Sequence, residues 1–167
     1  FSGGMRQRVV VALALATEPK LVIADEPTTA LDVSVQAQVL DLLKKLCRER
    51  GTSVMLITHD MGVIAQTSDR IAVMYAGRLA EIGSTREVLT NPQHPYTQGL
   101  MASTPSVDAK SFGKTLFQIP GSMPKLDALP TGCAFNPRCN QVHERCRTER
   151  PPLMSDRAAC WLMETAS

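Results

Sequence analysis

At 167 residues the chain can hold one domain with a real core, or one and a half small ones. A hydrophobic share of 44% excludes disorder, and an aromatic share of 4% leaves no visible stacking platform for nucleic acid. The net charge of +2 demands no polyanionic partner, no apolar run reaches membrane-spanning length, and no signal peptide is visible. The default expectation is a cytosolic protein whose five cysteines stay reduced. The opening Phe1-Ser2-Gly3-Gly4, without an initiator Met, reads as the C-terminal part of something longer.

The Ser-Gly-Gly turn runs into a helical pattern marked by Met5, Val9, Ala12, Leu13 and Ala16. Backbone N–H groups at such a helix start suit an anion, although an ordinary N-cap accounts for the same residues. Glu18-Pro19-Lys20 closes the helix. Leu21-Val22-Ile23-Ala24 is unbroken apolar chain, which predicts a strand buried on both faces of a parallel sheet. Pro27 stops it, leaving Asp25 and Glu26 at the carboxyl edge, where open α/β sheets bind ligands. Adjacent side chains leave a strand in different directions. One carboxylate can therefore hold a metal ion while the other addresses a water. A strand that merely ends in an acidic turn is the plainer alternative.

Thr28 to Asp32 forms a turn, and Val35, Val39, Leu42, Leu43 and Leu46 mark a second helix that Gly51 ends. Cys47 on that stripe reads as a small core residue. Val54 to Ile57 predicts another strand, ending in Thr58-His59-Asp60, so His59 arrives at the same sheet edge as Glu26. A helix over 61–67, a strand over 71–75 and a hairpin through Ala76-Gly77-Arg78 follow. Beyond Thr90, where nine of the eleven prolines lie, long regular elements are disfavoured. Residues 84–89 suit a short capped helix, 91–96 a turn and 97–102 a helical turn. Residues 104–132 are expected to be mostly extended, with strand-like alternation only over 115–119.

Cys133, Cys139, Cys146 and Cys160 lie in a Pro-rich segment with little apolar periodicity, leaving gaps of five, six and thirteen residues. Four thiols there suggest a metal that replaces a hydrophobic core. Zinc sites favour C-x₂₋₄-C pairs, and none occurs. A four-iron four-sulfur cluster needs four thiolates and tolerates varied spacing. His143 keeps zinc open, and a disulfide pair without metal is the remaining reading.

Taken together, Phe1-Ser2-Gly3-Gly4-Met5-Arg6-Gln7-Arg8, Leu21 to Pro27, Ala30-Leu31-Asp32 and Thr58-His59-Asp60 resemble, in order and spacing, the ATP-binding subunits of ABC transporters. They would be the signature motif, the Walker B strand, the D-loop and the switch histidine. The stretch from Asn91 to Tyr96 and the cysteine-rich end are similar to the oligopeptide/dipeptide importer subfamily. Met5 stands where Gln is usual in the family at large, and that subfamily is similar here.

The resemblance implies an α/β fold: the C-terminal half of a P-loop NTPase domain over 1–83, with a mostly parallel sheet, and an irregular Cys-rich extension over 84–167. It implies that Asp25 holds Mg²⁺, that Glu26 polarises the attacking water and that His59 contacts the γ-phosphate. Ser2, Gly3 and Gly4 would bind the γ-phosphate of ATP held by a second ATP-binding subunit, with Asp32 at the same interface. It further implies an iron–sulfur cluster on Cys133, Cys139, Cys146 and Cys160, with zinc as the alternative. The partners implied are two membrane-spanning permease subunits and, indirectly, an extracytoplasmic binding protein, with no nucleic acid. The place implied is the cytoplasmic face of the cell membrane. No G-x-x-x-x-G-K-[ST] loop occurs, nor the family's glutamine loop or adenine-stacking aromatic, so the chain alone is expected to bind ATP poorly. Two other functions compete. A non-transport ATPase of the same superfamily, such as a DNA-repair or chromosome-maintenance protein, would carry coiled-coil or zinc insertions, and no heptads are sustained. An interaction module with a vestigial ATPase half is opposed by the intact Asp25, Glu26 and His59.

Overall fold

Two separate two-stranded sheets organise the chain, one in each of two units, residues 1–68 and 69–167. The computed structural model describes residues 2–29, 31–104 and 117–166.

In the first unit, α1 (Gly3–Leu15) leads to β1 (Leu21–Asp25), α2 (Val33–Arg50) crosses over to β2 (Ser53–Ile57), and α3 (Met61–Thr67) follows. β1 and β2 pair in parallel, from Leu21 opposite Ser53 to Asp25 opposite Ile57. The crossover helix is set by Asp32 at its start and by Gly51 at its end, whose φ of 64° is the left-handed stop that glycine takes readily. Val11 and Leu15 of α1, Val22 of β1, and Leu43 and Cys47 of α2 make the core, so Cys47 is the small core residue expected.

One expectation changes here. β1 is buried on one face only: Val22 is covered, whereas Leu21 and Ile23 are 51% and 60% exposed. The reason is that α1 and α2 pack on the Val22 and Ala24 side of a two-stranded sheet. On α1 the buried positions are Gly4, Val11 and Leu15, while Met5, Val9 and Leu13 face outward. Apolar residues surround this helix, so periodicity could not single out the packed stripe. Close approach did: a Cβ on Gly4 would come within 2.5 Å of Val35 Cγ1 on α2.

In the second unit, β3 (Arg70–Tyr75) and β4 (Arg78–Ser84) form an antiparallel hairpin. Its two-residue turn, Ala76 and Gly77, has positive φ at both positions, the geometry whose twist suits a hairpin. α4 (Thr85–Thr90) starts in a capping box between Ser84 and Glu87, and α5 (Pro95–Ser103) carries Pro at its first turn. Two short 3₁₀ turns, Asn136–Arg138 and Trp161–Ala166, flank α6 (Glu144–Thr148). The tail docks along β4, where Arg157 O accepts from Ile82 N at 2.8 Å and Ala80 O accepts from Ala159 N at 2.8 Å.

The tail is less core-poor than its sequence suggests. Its Phe135 is buried in an aromatic cluster of the second unit: the Tyr75 ring lies 4.6 Å from Tyr96 and 5.1 Å from Phe135, between centroids. Of the stretch 104–132, residues 105–116 lie outside the described residues, and 117–132 contain neither helix nor strand. The alternation expected over 115–119 is therefore not a strand at its described end. Among the described residues, no helix is long and apolar enough to cross a membrane.

Candidate active site

The parallel register places the ends of β1 and β2 side by side, and the chemistry collects there. Glu26 continues the ladder by one bond, its N–H donating to Ile57 O at 2.8 Å, and then turns sharply with φ of 42°. Its carboxylate is held at both oxygens. Oε1 lies 2.8 Å from His59 Nδ1, and Oε2 accepts from Thr29 Oγ1 at 2.8 Å. These bonds, that of His59 first and that of Thr29 second, hold the carboxyl below the usual glutamate range. Both partners remain open to water, the side chains of His59 and Glu26 being 84% and 44% exposed. Asp25, one residue earlier, presents an exposed carboxylate without a partner among the described residues.

The other expected site residues sit at helix starts. Ser2 caps α1 by accepting from Met5 N at 3.3 Å, with Gly3 and Gly4 in the first turn. Asp32 caps α2, accepting from Val35 N and Ser34 Oγ, and these bonds, that of Val35 first, lower its carboxyl. Asp60 caps α3 and also accepts from Gln36 Nε2 at 3.2 Å, tying α2 to the residue after His59. Thr29 and Gln36 had not been singled out from sequence. Their roles depend on backbone turns that no motif spacing reports.

In the second unit all four tail cysteines are free and line one small cavity together with His94 and Trp161. Burial pushes the Cys133 and Cys139 thiols up and the Cys160 thiol up to about 11. They are therefore held as thiols, and any metal has to displace their protons. Among the described residues, no group of three or more His, Cys, Asp or Glu is arranged to hold a metal ion. The metal expected at these cysteines thus has no ready-made ligand shell. His143 is exposed, at the start of α6, and does not line the cavity, which removes it as a zinc ligand. Beside the thiols, Glu81 is wholly buried and accepts from Gln93 N and His94 N, both at 2.9 Å, with Arg157 Nε 3.5 Å away. His94 accepts from Tyr96 N at Nδ1, and burial, partly opposed by Glu81, pushes its imidazole down to about 4.

Comparison with known proteins accounts for both halves. Residues 80–146 match the C-terminal region of oligopeptide/dipeptide transporters, and residues 1–29 match the ABC transporter family. The chain belongs to the ABC-transporter ATP-binding family, in its oligopeptide/dipeptide branch. It is 48% identical to the oligopeptide transport ATP-binding protein AppD of Bacillus subtilis, over 98% of this chain and 51% of AppD. It is 54% identical to the oligopeptide transport ATP-binding protein OppD of Escherichia coli, over 92% of this chain and 44% of OppD. The chain thus spans about half the length of the relatives it matches. It is also similar to a solved inward-facing metal-chelate type ABC transporter, with a TM-score of 0.50 and 36% identity over 54% of this chain and 36% of that one. An α/β fold with a small parallel sheet and the ABC ATPase branch are therefore in agreement.

Proposed function

We propose that this chain forms the catalytic edge of an ATP-hydrolysing subunit that energises import of di- or oligopeptides. The observation that carries the reading is Glu26, held at one oxygen by His59 and flanked by the unpartnered Asp25 at the carboxyl edge of β1 and β2. In this role Glu26 takes the proton of the attacking water. The water oxygen bonds to the γ-phosphorus, and the bond to the ADP leaving group breaks. His59 orients the Glu26 carboxylate and meets the γ-phosphate. Asp25 is the residue to hold Mg²⁺, which when bound neutralises charge on the phosphates. Ser2, Gly3 and Gly4 offer N–H groups at the start of α1 to the nucleotide of a second ATP-binding subunit, with Asp32 at the same interface. Residues 1–83 belong to the ATPase domain and 84–167 to the extension. Two permease subunits and an extracytoplasmic binding protein complete the assembly, and the subunit works at the cytoplasmic face of the membrane.

The test is Glu26→Gln in the longer protein that carries a phosphate-binding loop. ATP binding persists and hydrolysis falls about 10²–10⁴-fold, the worth of a general base. Wild-type phosphate release by the variant would sink the assignment.

For the tail, the reading is a four-iron four-sulfur cluster on Cys133, Cys139, Cys146 and Cys160. Its support is the donor set: four free thiols lining one cavity. Zinc on the same four thiols is the alternative, and for either metal the thiols have to gather on binding, since no ready-made ligand group is found among the described residues. Anaerobically purified protein should contain iron and acid-labile sulfide. Each of the four Cys→Ser variants should bleach it, and Cys47→Ser should not. Metal-free, colourless protein that keeps its tail protected from protease would end the cluster reading.

A further inference from the structure

We propose that a cavity of about 320 Å³ in the second unit binds a small organic anion: an oxyanion head on an apolar body. Three independent features of its lining point there. The first is His94, which is 3% exposed and lines the cavity. Its Nδ1 accepts from Tyr96 N at 3.0 Å, so the ring proton sits on Nε2. No described residue accepts from Nε2. This N–H is open to an acceptor from outside the chain, and a ligand oxygen in the cavity could take that place.

The second feature is charge. Arg78 and Arg150 line the same cavity, and no Asp or Glu does. Neither arginine has an ion pair or side-chain hydrogen bond among the described residues, whereas three other arginines of this unit are engaged. Arg138 donates to Pro120 O and Ile119 O, Arg145 pairs with Glu149 and Glu164, and Arg157 with Glu81. Two guanidinium forks without a carboxylate suit a carboxylate or phosphate head.

The third feature is the wall. Tyr75, Phe135 and Pro151 give the cavity an apolar face to take the body of the ligand. The volume lies at the lower end of the range for small-molecule sites, which excludes bulky ligands. A cleft holding only water would satisfy His94 equally, but it gives the paired arginines and the apolar wall nothing to do.

The experiment is calorimetric titration of the 167-residue chain with phenyl phosphate, 3-phenylpropanoate and inorganic phosphate. Saturable one-to-one binding of at least one phenyl anion is expected, at least about 10-fold tighter than inorganic phosphate, because burying the ring is worth over 1.4 kcal/mol. Arg78→Gln and Arg150→Gln should each weaken it about 10-fold, the scale of a lost charge-assisted hydrogen bond. Arg150 is exposed, so its variant should melt with the wild type. His94→Asn keeps an acceptor for Tyr96 N, removes the Nε2 donor, and should also bind more weakly. The two phenyl anions distinguish a phosphate head from a carboxylate head. No saturable binding of either phenyl anion, or unchanged affinity in both arginine variants, would overturn the site. Inorganic phosphate binding as tightly as the phenyl anions would overturn the role of the apolar wall.

Discussion

Glu26 is a glutamate in a backbone conformation that suits glycine, and three hydrogen bonds keep it there. Left-handed φ at a non-glycine residue costs about 1–3 kcal/mol, and such strain persists only where the surroundings impose it. Here the ladder bond to Ile57 fixes the backbone while His59 and Thr29 fix the carboxylate. Because the bond to His59 lowers the Glu26 carboxyl most, His59→Ala should move its titration furthest toward the ordinary glutamate value, and Thr29→Val by less. Carbon-detected NMR titration of the Glu26 carboxyl checks this, and a larger shift in the threonine variant would reverse the ranking. The folded-state value lies below the unfolded one. The bonds therefore add stability above the unfolded pKa, and that contribution is lost as pH falls through the folded value. The meeting of Glu26 and His59 was legible in the sequence, because both follow apolar runs that end in a polar group. Thr29 was not, since its hydroxyl reaches the carboxylate only after Glu26 has turned.

Among the elements, the type and order of α1, β1, α2, β2, α3, the β3–β4 hairpin and α4 agree with the sequence reading, and the differences concern burial. α2 shows its stripe and buries Val39, Leu43 and Cys47, whereas α1 is apolar on several sides and its helical spacing does not mark which side packs. The burial of β1 depended on how many strands and helices surround it, which five residues cannot state. The tail turn at Gly132 tests local geometry. Its φ is 73°, and a Cβ there would fall on the carbonyl oxygen of Cys146, which accepts from Cys133 N at 2.9 Å. Gly51 has a similar φ of 64° with open space around it. Gly51→Ala should therefore cost about 1 kcal/mol, from backbone conformation alone. Gly132→Ala adds a collision with backbone and should cost at least about 2 kcal/mol. Thermal melts of the two variants decide, and equal losses would show that the Gly132 turn relaxes freely.

For the whole molecule, the outward side of the first unit matters most. Leu21, Ile23, Val54, Met55 and Ile57 on the sheet, with Val9, Val10 and Leu13 on α1, are large apolar side chains left exposed. Leu21, Ile23, Met55 and Ile57 share one face of the sheet, and an exposed apolar face marks an interaction surface or an aggregation liability. Among the described residues no further strand pairs with either edge of this sheet, and open edges can template pairing with another chain. The chain alone should therefore self-associate as its concentration rises. Ile23→Lys with Met55→Lys should move sedimentation toward the monomer without loss of helical signal. A wild-type chain that sediments as a monomer at every concentration would show this face to be harmless. The sequence reading assigned Leu21 and Ile23 to an interior, because an apolar run reads the same whether one face or both are covered.

Trp161 is the only tryptophan in the chain. It is buried, lines the thiol cavity, donates its Nε1–H to Glu149 O at 3.1 Å and carries the Arg145 guanidinium 3.5 Å above its ring. The molecule therefore contains a single optical reporter fixed at the wall of its most chemically loaded chamber. Its emission should resist acrylamide and be extinguished by energy transfer when a coloured iron–sulfur group fills the chamber. Titrating iron and sulfide into the apo chain would then be read directly as quenching, residue by residue comparable across the Cys→Ser series, without any added label.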